Sequence, residues 1–137
     1  MAKTKYVDAT PAMEELVSKI METWFDRFSH VTRTDILLVV KDSPKSGGYK
    51  AKTRLLNGFY RMLTKKKIII EIHKQSWDQD KPVDRALAIY RELFRIDTRE
   101  TTSDYKLMRP DLSDFTKILE KTGLHGETAE EFFNKVI

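Results

Sequence analysis

Apolar positions recur along the first fifth of the chain at intervals of three and four. Met13, Leu16, Val17, Ile20, Met21, Trp24, Phe25 and Phe28 form one wide stripe, and the spacing predicts an amphipathic helix of about five turns. Thr10 is placed to cap it and Pro11 to occupy its first position. Glu14 and Glu15 follow in the first turn, where the helix dipole favours negative charge. The opposite face mixes Glu14, Glu15, Lys19, Glu22 and Asp26. It is not basic, so the helix reads as a core element rather than a membrane-surface one. Residues 1–9 read as a short arm, which leaves 10–137 as a single domain.

The period then changes. Asp35–Val40 (DILLVV) is a run of aliphatic residues that reads as a largely buried strand. Lys41–Lys50 carries Pro44 and Gly47-Gly48 and reads as a loop. Residues 50–63 are open to two readings: a hairpin turning at Asn57-Gly58, or one extended stretch. Lys65–His73 (KKKIIIEIH) is the strongest strand signal in the chain. Helical spacing returns at Pro82, with Val83, Ala86, Leu87, Tyr90, Leu93 and Phe94 on one face to about Ile96. The polar stretch Asp97–Pro110 reads as a long excursion, with a hairpin as one form of it. Asp111 then caps a segment with Leu112, Phe115, Ile118 and Leu119 apolar and Gly123 at its end. A last short helix would dock through Phe132, Phe133, Val136 and Ile137. Helix, strands, helix, polar excursion, helices is the order of an α+β domain.

Composition narrows the chemistry. A chain of 137 residues with 40% hydrophobic and 34% charged residues is long enough for one modest core. It has no cysteine, which excludes disulfides, thiolate metal sites and a cysteine nucleophile together. The three histidines, His30, His73 and His125, have no helical ligand spacing. A glycine-rich phosphate loop and a G-x-S-x-G elbow are both missing from the sequence. The pair Asp111 and Asp114 reads as a dipole complement at a helix start. No apolar run approaches a membrane span, and the first residues lack the apolar core of a signal peptide. The expectation is a cytoplasmic protein without a membrane partner and without a cofactor.

The net charge is +4, but it is unevenly spread. Between Lys41 and Lys74 ten basic side chains face only Asp42 and Glu71, a surplus of eight. Lys45, Lys50, Lys52, Arg54, Arg61, Lys65, Lys66 and Lys67 are the candidate binding residues, with Tyr49, Phe59 and Tyr60 among them. Such a segment fits a nucleic-acid or acidic-protein contact. It equally fits solvated strand edges, where lysine blocks edge-to-edge pairing.

The most informative stretch is Arg85–Glu100, and within it Arg91-Glu92-Leu93-Phe94-Arg95. Zinc peptidases carry H-E-x-x-H on a helix, two metal-binding histidines one turn apart with a general-base glutamate between them. Here the frame and the glutamate are present, and arginine stands at both histidine positions. Upstream lies Ile68–Gln79 (IIIEIHKQSWDQ), a strand leading to a tryptophan. Downstream lies Met108–Leu124 (MRPDLSDFTKILEKTGL). In order and spacing, from about Met13 to Leu124, the chain resembles the phage metallopeptidase family, a zincin-like group. The resemblance implies a zincin-like α+β fold: an N-terminal helix, a small mixed sheet, an active-site-type helix and C-terminal helices.

Carried over position by position, the first two metal ligands fall on Arg91 and Arg95, the general base on Glu92, and the third ligand on Pro110. Arginine has no lone pair to offer a cation and stays charged, and proline has no donor atom. The resemblance therefore implies a metallopeptidase fold without its metal chemistry. Arg91 and Arg95 are expected either to plug the old site by pairing with Glu92, Asp111 or Asp114, or to line an anion pocket. The functional expectation is a phage- or prophage-encoded pseudoenzyme that binds a host macromolecule, with a protein or protein complex favoured. The alternatives are a hydrolase with an unrecognised metal site and a nucleic-acid binder acting through residues 41–74.

Overall fold

A computed structural model describes residues 4–44, 49–98, 104–108, 131 and 133–137 of the chain. The first helix, α1 (Pro11–Thr23), starts as the sequence requires: the Thr10 side chain accepts a hydrogen bond from the Met13 N–H at 3.3 Å, and Pro11 takes the first turn. It is shorter than its apolar stripe. Trp24 leaves helical geometry (φ −112°, ψ 47°), and a separate turn, α2 (Phe25–Phe28), follows. The break lets the indole meet Tyr90 and Phe133 edge-on, with ring centroids 5.2 and 5.8 Å away. Phe28 joins the same cluster at 5.2 Å from Tyr90.

Four strands form the main sheet: β1 (Lys5–Asp8), β2 (Ile36–Asp42), β3 (Ala51–Leu55) and β4 (Ile68–His73), in the spatial order β1-β2-β4-β3. The expected arm thus contributes an edge strand, antiparallel to β2. β2 and β4 run parallel at the centre, and β3 closes the other edge antiparallel to β4. Alternation sends Ile36, Leu38, Val40, Ile68, Ile70 and Ile72 into the core, where all are buried. Against them pack Met13, Val17 and Ile20 of α1 and Ala86, Ile89, Tyr90 and Leu93 of the long helix described next. On the reverse face Glu71 is buried and reaches Arg54 at 3.8 Å.

Residues 50–63 follow neither sequence reading. Asn57 does not turn a hairpin; its side chain accepts from the Tyr60 N–H at 3.2 Å and caps α3 (Gly58–Thr64). That helix ends at Lys65, the one non-glycine residue with positive φ among those described. After β4 the chain turns directly into α4 (Lys74–Gln79), which carries Trp77, and then into α5 (Pro82–Phe94). The polar excursion contains a hairpin-like pair, β5 (Ile96–Thr98) antiparallel to β6 (Tyr105–Leu107). At the C-terminal end Phe133 and Val136 are buried, as docking requires, while Ile137 is exposed. Lys45, Pro110, Asp111, Asp114, His125, Phe132 and the segment capped by Asp111 lie outside the described residues.

The architecture is α+β with a mixed sheet, as its order of elements implies. The helix bearing Arg91, Glu92 and Arg95 runs beside the β3 edge.

Candidate functional site

α5 buries one face because its apolar residues recur at helical spacing, and this fixes where the rest point. With Ala86, Ile89, Tyr90 and Leu93 in the core, Glu92 and Arg95 lie toward the β3 edge. An antiparallel edge strand presents alternate backbone N–H groups outward. The outward N–H of Thr53 is not left open: it donates to Glu92 Oε1 at 2.8 Å. The Thr53 hydroxyl lies 3.4 Å from the Glu92 carbonyl oxygen, to which it donates. The Glu92 carboxylate therefore closes this part of the sheet edge.

The same oxygen, Glu92 Oε1, accepts from Arg95 Nη1 at 3.0 Å. Both side chains are largely withdrawn from water, 13% exposed for Glu92 and 16% for Arg95. Arg95 Nε donates to the Met108 carbonyl at 3.0 Å, and the Met108 N–H donates to the Arg95 carbonyl at 2.7 Å. One guanidinium thus ties three pieces together: the end of α5, the β3 edge through Glu92, and the chain leaving β6. The join is made by charge-assisted hydrogen bonds.

The two arginines divide between the two expectations. Arg95 is largely enclosed and pairs with the Glu92 carboxylate. Arg91 is exposed and, among the described residues, has no carboxylate partner. It opens onto a groove of about 470 Å³ between α5 and the start of β3, which Tyr49, Lys50, Lys52, Asp84 and Leu87 also line. Lys50 is held by Asp80 at 3.1 Å, and Lys52 lies 5.5 Å from the centre of the Tyr49 ring.

A zinc ion does not fit this donor set. Arg95 brings donors, not lone pairs, to Glu92 and the Met108 carbonyl, and its charge repels a cation. Among the described residues no group of three or more histidine, aspartate and glutamate side chains converges as a metal site. His30 is engaged elsewhere, its Nε2 donating to the Ile96 carbonyl at 2.8 Å. His73 is fully buried at the end of β4.

The remaining basic candidates do not form one surface. Lys50 and Lys52 stand at the start of β3, whereas Lys65, Lys66 and Lys67 stand beyond its far end. At about 3.4 Å per residue the five-residue strand separates the two groups by roughly 17 Å. Arg54 reaches Glu71, and Arg61 pairs with Asp104 at 3.1 Å. The Tyr105 N–H and then Arg61 hold the Asp104 carboxyl below the usual carboxylate range. Lys66 Nζ donates to the Thr34 carbonyl at 2.7 Å, and Lys67 Nζ lies 6.0 Å from the Tyr105 ring centre. Tyr105 is buried, and its hydroxyl donates to Asp35 at 2.7 Å; burial pushes its pKa above the ordinary phenol value.

The Glu92–Arg95 pair has a sequence signal, since residues three apart on a helix are neighbours. Thr53 and the Met108 carbonyl have none. A threonine on an edge strand and a backbone oxygen become partners only once the sheet and α5 are in place.

Among the described residues no helix is long and apolar enough to cross a membrane. No curated protein matches the chain, and neither does any solved structure. One family model does match, over residues 4–136, so that the arm-derived strand, the sheet, α5 and the C-terminal segment all fall within it. This chain belongs to the family described as "Putative phage metallopeptidase".

Proposed function

We propose that the chain is a non-catalytic member of its family, encoded by a phage or prophage, that acts in the host cytoplasm by binding a host protein or protein complex. The observation that carries this reading is the commitment of Glu92. A general base needs a carboxylate free to take a proton from water. One of the two Glu92 oxygens, Oε1, is instead taken up by the Thr53 N–H and Arg95 Nη1 at 2.8 and 3.0 Å. The cation beside it cannot hold a metal to activate that water. What the family uses for chemistry serves here to lock helix to sheet.

A protein partner is favoured over nucleic acid by the pairing of the basic residues. Lys50, Arg54 and Arg61 are already engaged by Asp80, Glu71 and Asp104. This removes three cations from any surface that would track a phosphate backbone. Nucleic-acid binding would also fall steeply with salt, because each neutralised phosphate releases counterions.

The test combines metal content with partner recovery. Purified protein is expected to hold far less than one zinc per chain by elemental analysis and to leave an unfolded protein substrate intact with or without added zinc. Tagged protein expressed in a bacterial host is expected to retain a stoichiometric protein at moderate salt. One tightly held zinc per chain, or zinc-dependent cleavage, would overturn the non-catalytic reading. Recovery of nucleic acid alone, lost as salt rises, would overturn the choice of partner.

A further inference from the structure

The helix α3 is built inside out. A surface helix ordinarily turns its apolar stripe to the core and its charges to water. Here Phe59, Met62 and Leu63, at spacings of three and four, face outward and are 62%, 62% and 61% exposed, with Tyr60 beside them at 52%. No residue of α3 is buried. Its attachment to the body is polar: Arg61 Nε donates to the Leu56 carbonyl at 2.9 Å, and its guanidinium pairs with Asp104 at 3.1 Å. Asn57 caps its start, and Lys65 ends it in a left-handed conformation. Four large apolar side chains within five consecutive residues are thus held out on a short, well-terminated knob.

The knob has a cationic base. Lys65, Lys66 and Lys67 follow it directly, and none of them pairs with a carboxylate among the described residues. The nearby acids are occupied: Asp104 holds Arg61, and Asp35 accepts from the Tyr105 hydroxyl.

We propose that α3 and Lys65–Lys67 form a contact site for the surface of an anionic lipid bilayer. Phe59, Met62, Leu63 and the Tyr60 ring enter the boundary between headgroups and acyl chains, and the Lys65 and Lys67 ammoniums lie at headgroup level, while Lys66 stays on the Thr34 carbonyl and adds its charge from there. Aromatic and aliphatic tips above a lysine collar match that boundary, where one end is apolar and the other wet. A second copy whose α3 packed parallel would set one lysine triplet against the other. Single-stranded nucleic acid would use the two rings and the lysines, but it gives Met62 and Leu63 no role. The proposal does not rest on the non-catalytic reading: a chain that held zinc would carry the same knob.

The test is sedimentation of the full chain with vesicles of phosphatidylcholine containing about one-quarter phosphatidylglycerol, in about 0.1 M salt. The protein is expected to sediment with these vesicles and much less with pure phosphatidylcholine. Phe59→Ser and Leu63→Ser are each expected to weaken partitioning about tenfold, and Lys65→Glu about fivefold or more. Phe25→Ser, which changes an apolar residue 65% exposed on α2, should leave it unchanged. Because Phe59 and Leu63 are exposed, their variants should melt with the wild type, so lost binding is not lost folding. No sedimentation with anionic vesicles would overturn the proposal. So would binding that survives both serine variants, which would be charge adhesion alone. Tighter, α3-dependent binding of a single-stranded oligothymidylate of about 20 nucleotides would overturn it in favour of nucleic acid.

Discussion

Replacing Arg95 with alanine removes the join between α5, the β3 edge and the chain beyond β6. Three things are lost together: the 3.0 Å ion pair to Glu92, the 3.0 Å bond to the Met108 carbonyl, and the packing of the arginine stem. Breaking a buried pair from one side costs about 3–5 kcal/mol, because the surviving charge is left without compensation. Glu92 keeps the Thr53 N–H and has some access to water, which places the cost at the lower end, about 3 kcal/mol. A chain of 137 residues at about 2.1 cal/mol/K per residue has an unfolding entropy of about 0.3 kcal/mol/K. The expected fall in Tm is then about 10 °C. The assay is thermal unfolding followed by circular dichroism, with urea titration at one temperature as a check. Three companions isolate the cause. Arg91→Ala, at an exposed position, should move the midpoint by less than about 0.5 kcal/mol, and so should Lys66→Ala. Glu92→Gln combined with Arg95→Ala should be more stable than Arg95→Ala alone, because the stranded charge is gone. An Arg95→Ala protein that melts with the wild type would refute the plug. A rise in its midpoint would show that relief of like-charge repulsion between Arg91 and Arg95 outweighs the pair.

A variant with Arg91→His and Arg95→His should remain without tightly held zinc after dialysis, because two histidines fall short of the three protein ligands a zinc site needs; one zinc per chain by elemental analysis would contradict this. Asp104 ionises more readily in the folded chain than at its ordinary value of 3.8, so its contribution is full above that value and lost as pH falls through the lower folded one. Asp104→Asn should therefore shrink the drop in urea midpoint between neutral and strongly acidic pH, and an unchanged drop would sink the assignment. Lys65 is held at φ 60° at the end of α3, where glycine or asparagine is the usual occupant. Lys65→Gly should raise stability by about 0.5–1 kcal/mol after the entropy of glycine is set against the relieved backbone, read as a higher urea midpoint.

Where period and capping agree, the sequence alone determined the elements. Thr10-Pro11 starts α1, the isoleucine run makes β4, and Pro82 opens α5 with its buried face already marked. These follow from local rules, since a 3.6-residue or two-residue repeat says which side of an element must leave water. The pairing of Glu92 with Arg95 was equally legible, since residues three apart on a helix are neighbours. The sequence could not say where the stripe of the first helix breaks, because Trp24 leaves the helix to reach Tyr90 and Phe133, which are distant in the chain. Nor could it choose a fate for Asn57-Gly58, a pair that suits a hairpin turn and a helix cap alike. Tertiary structure decided that Arg95 is enclosed and Arg91 exposed, because the β3 edge covers only one of two positions a turn apart. It also decided that Glu92 meets Thr53. Most unexpectedly for a reader of periodicity, it turned Phe59, Met62 and Leu63 outward. A helical stripe says which residues share a face, but only the neighbours an element packs against decide whether that face meets protein or solvent.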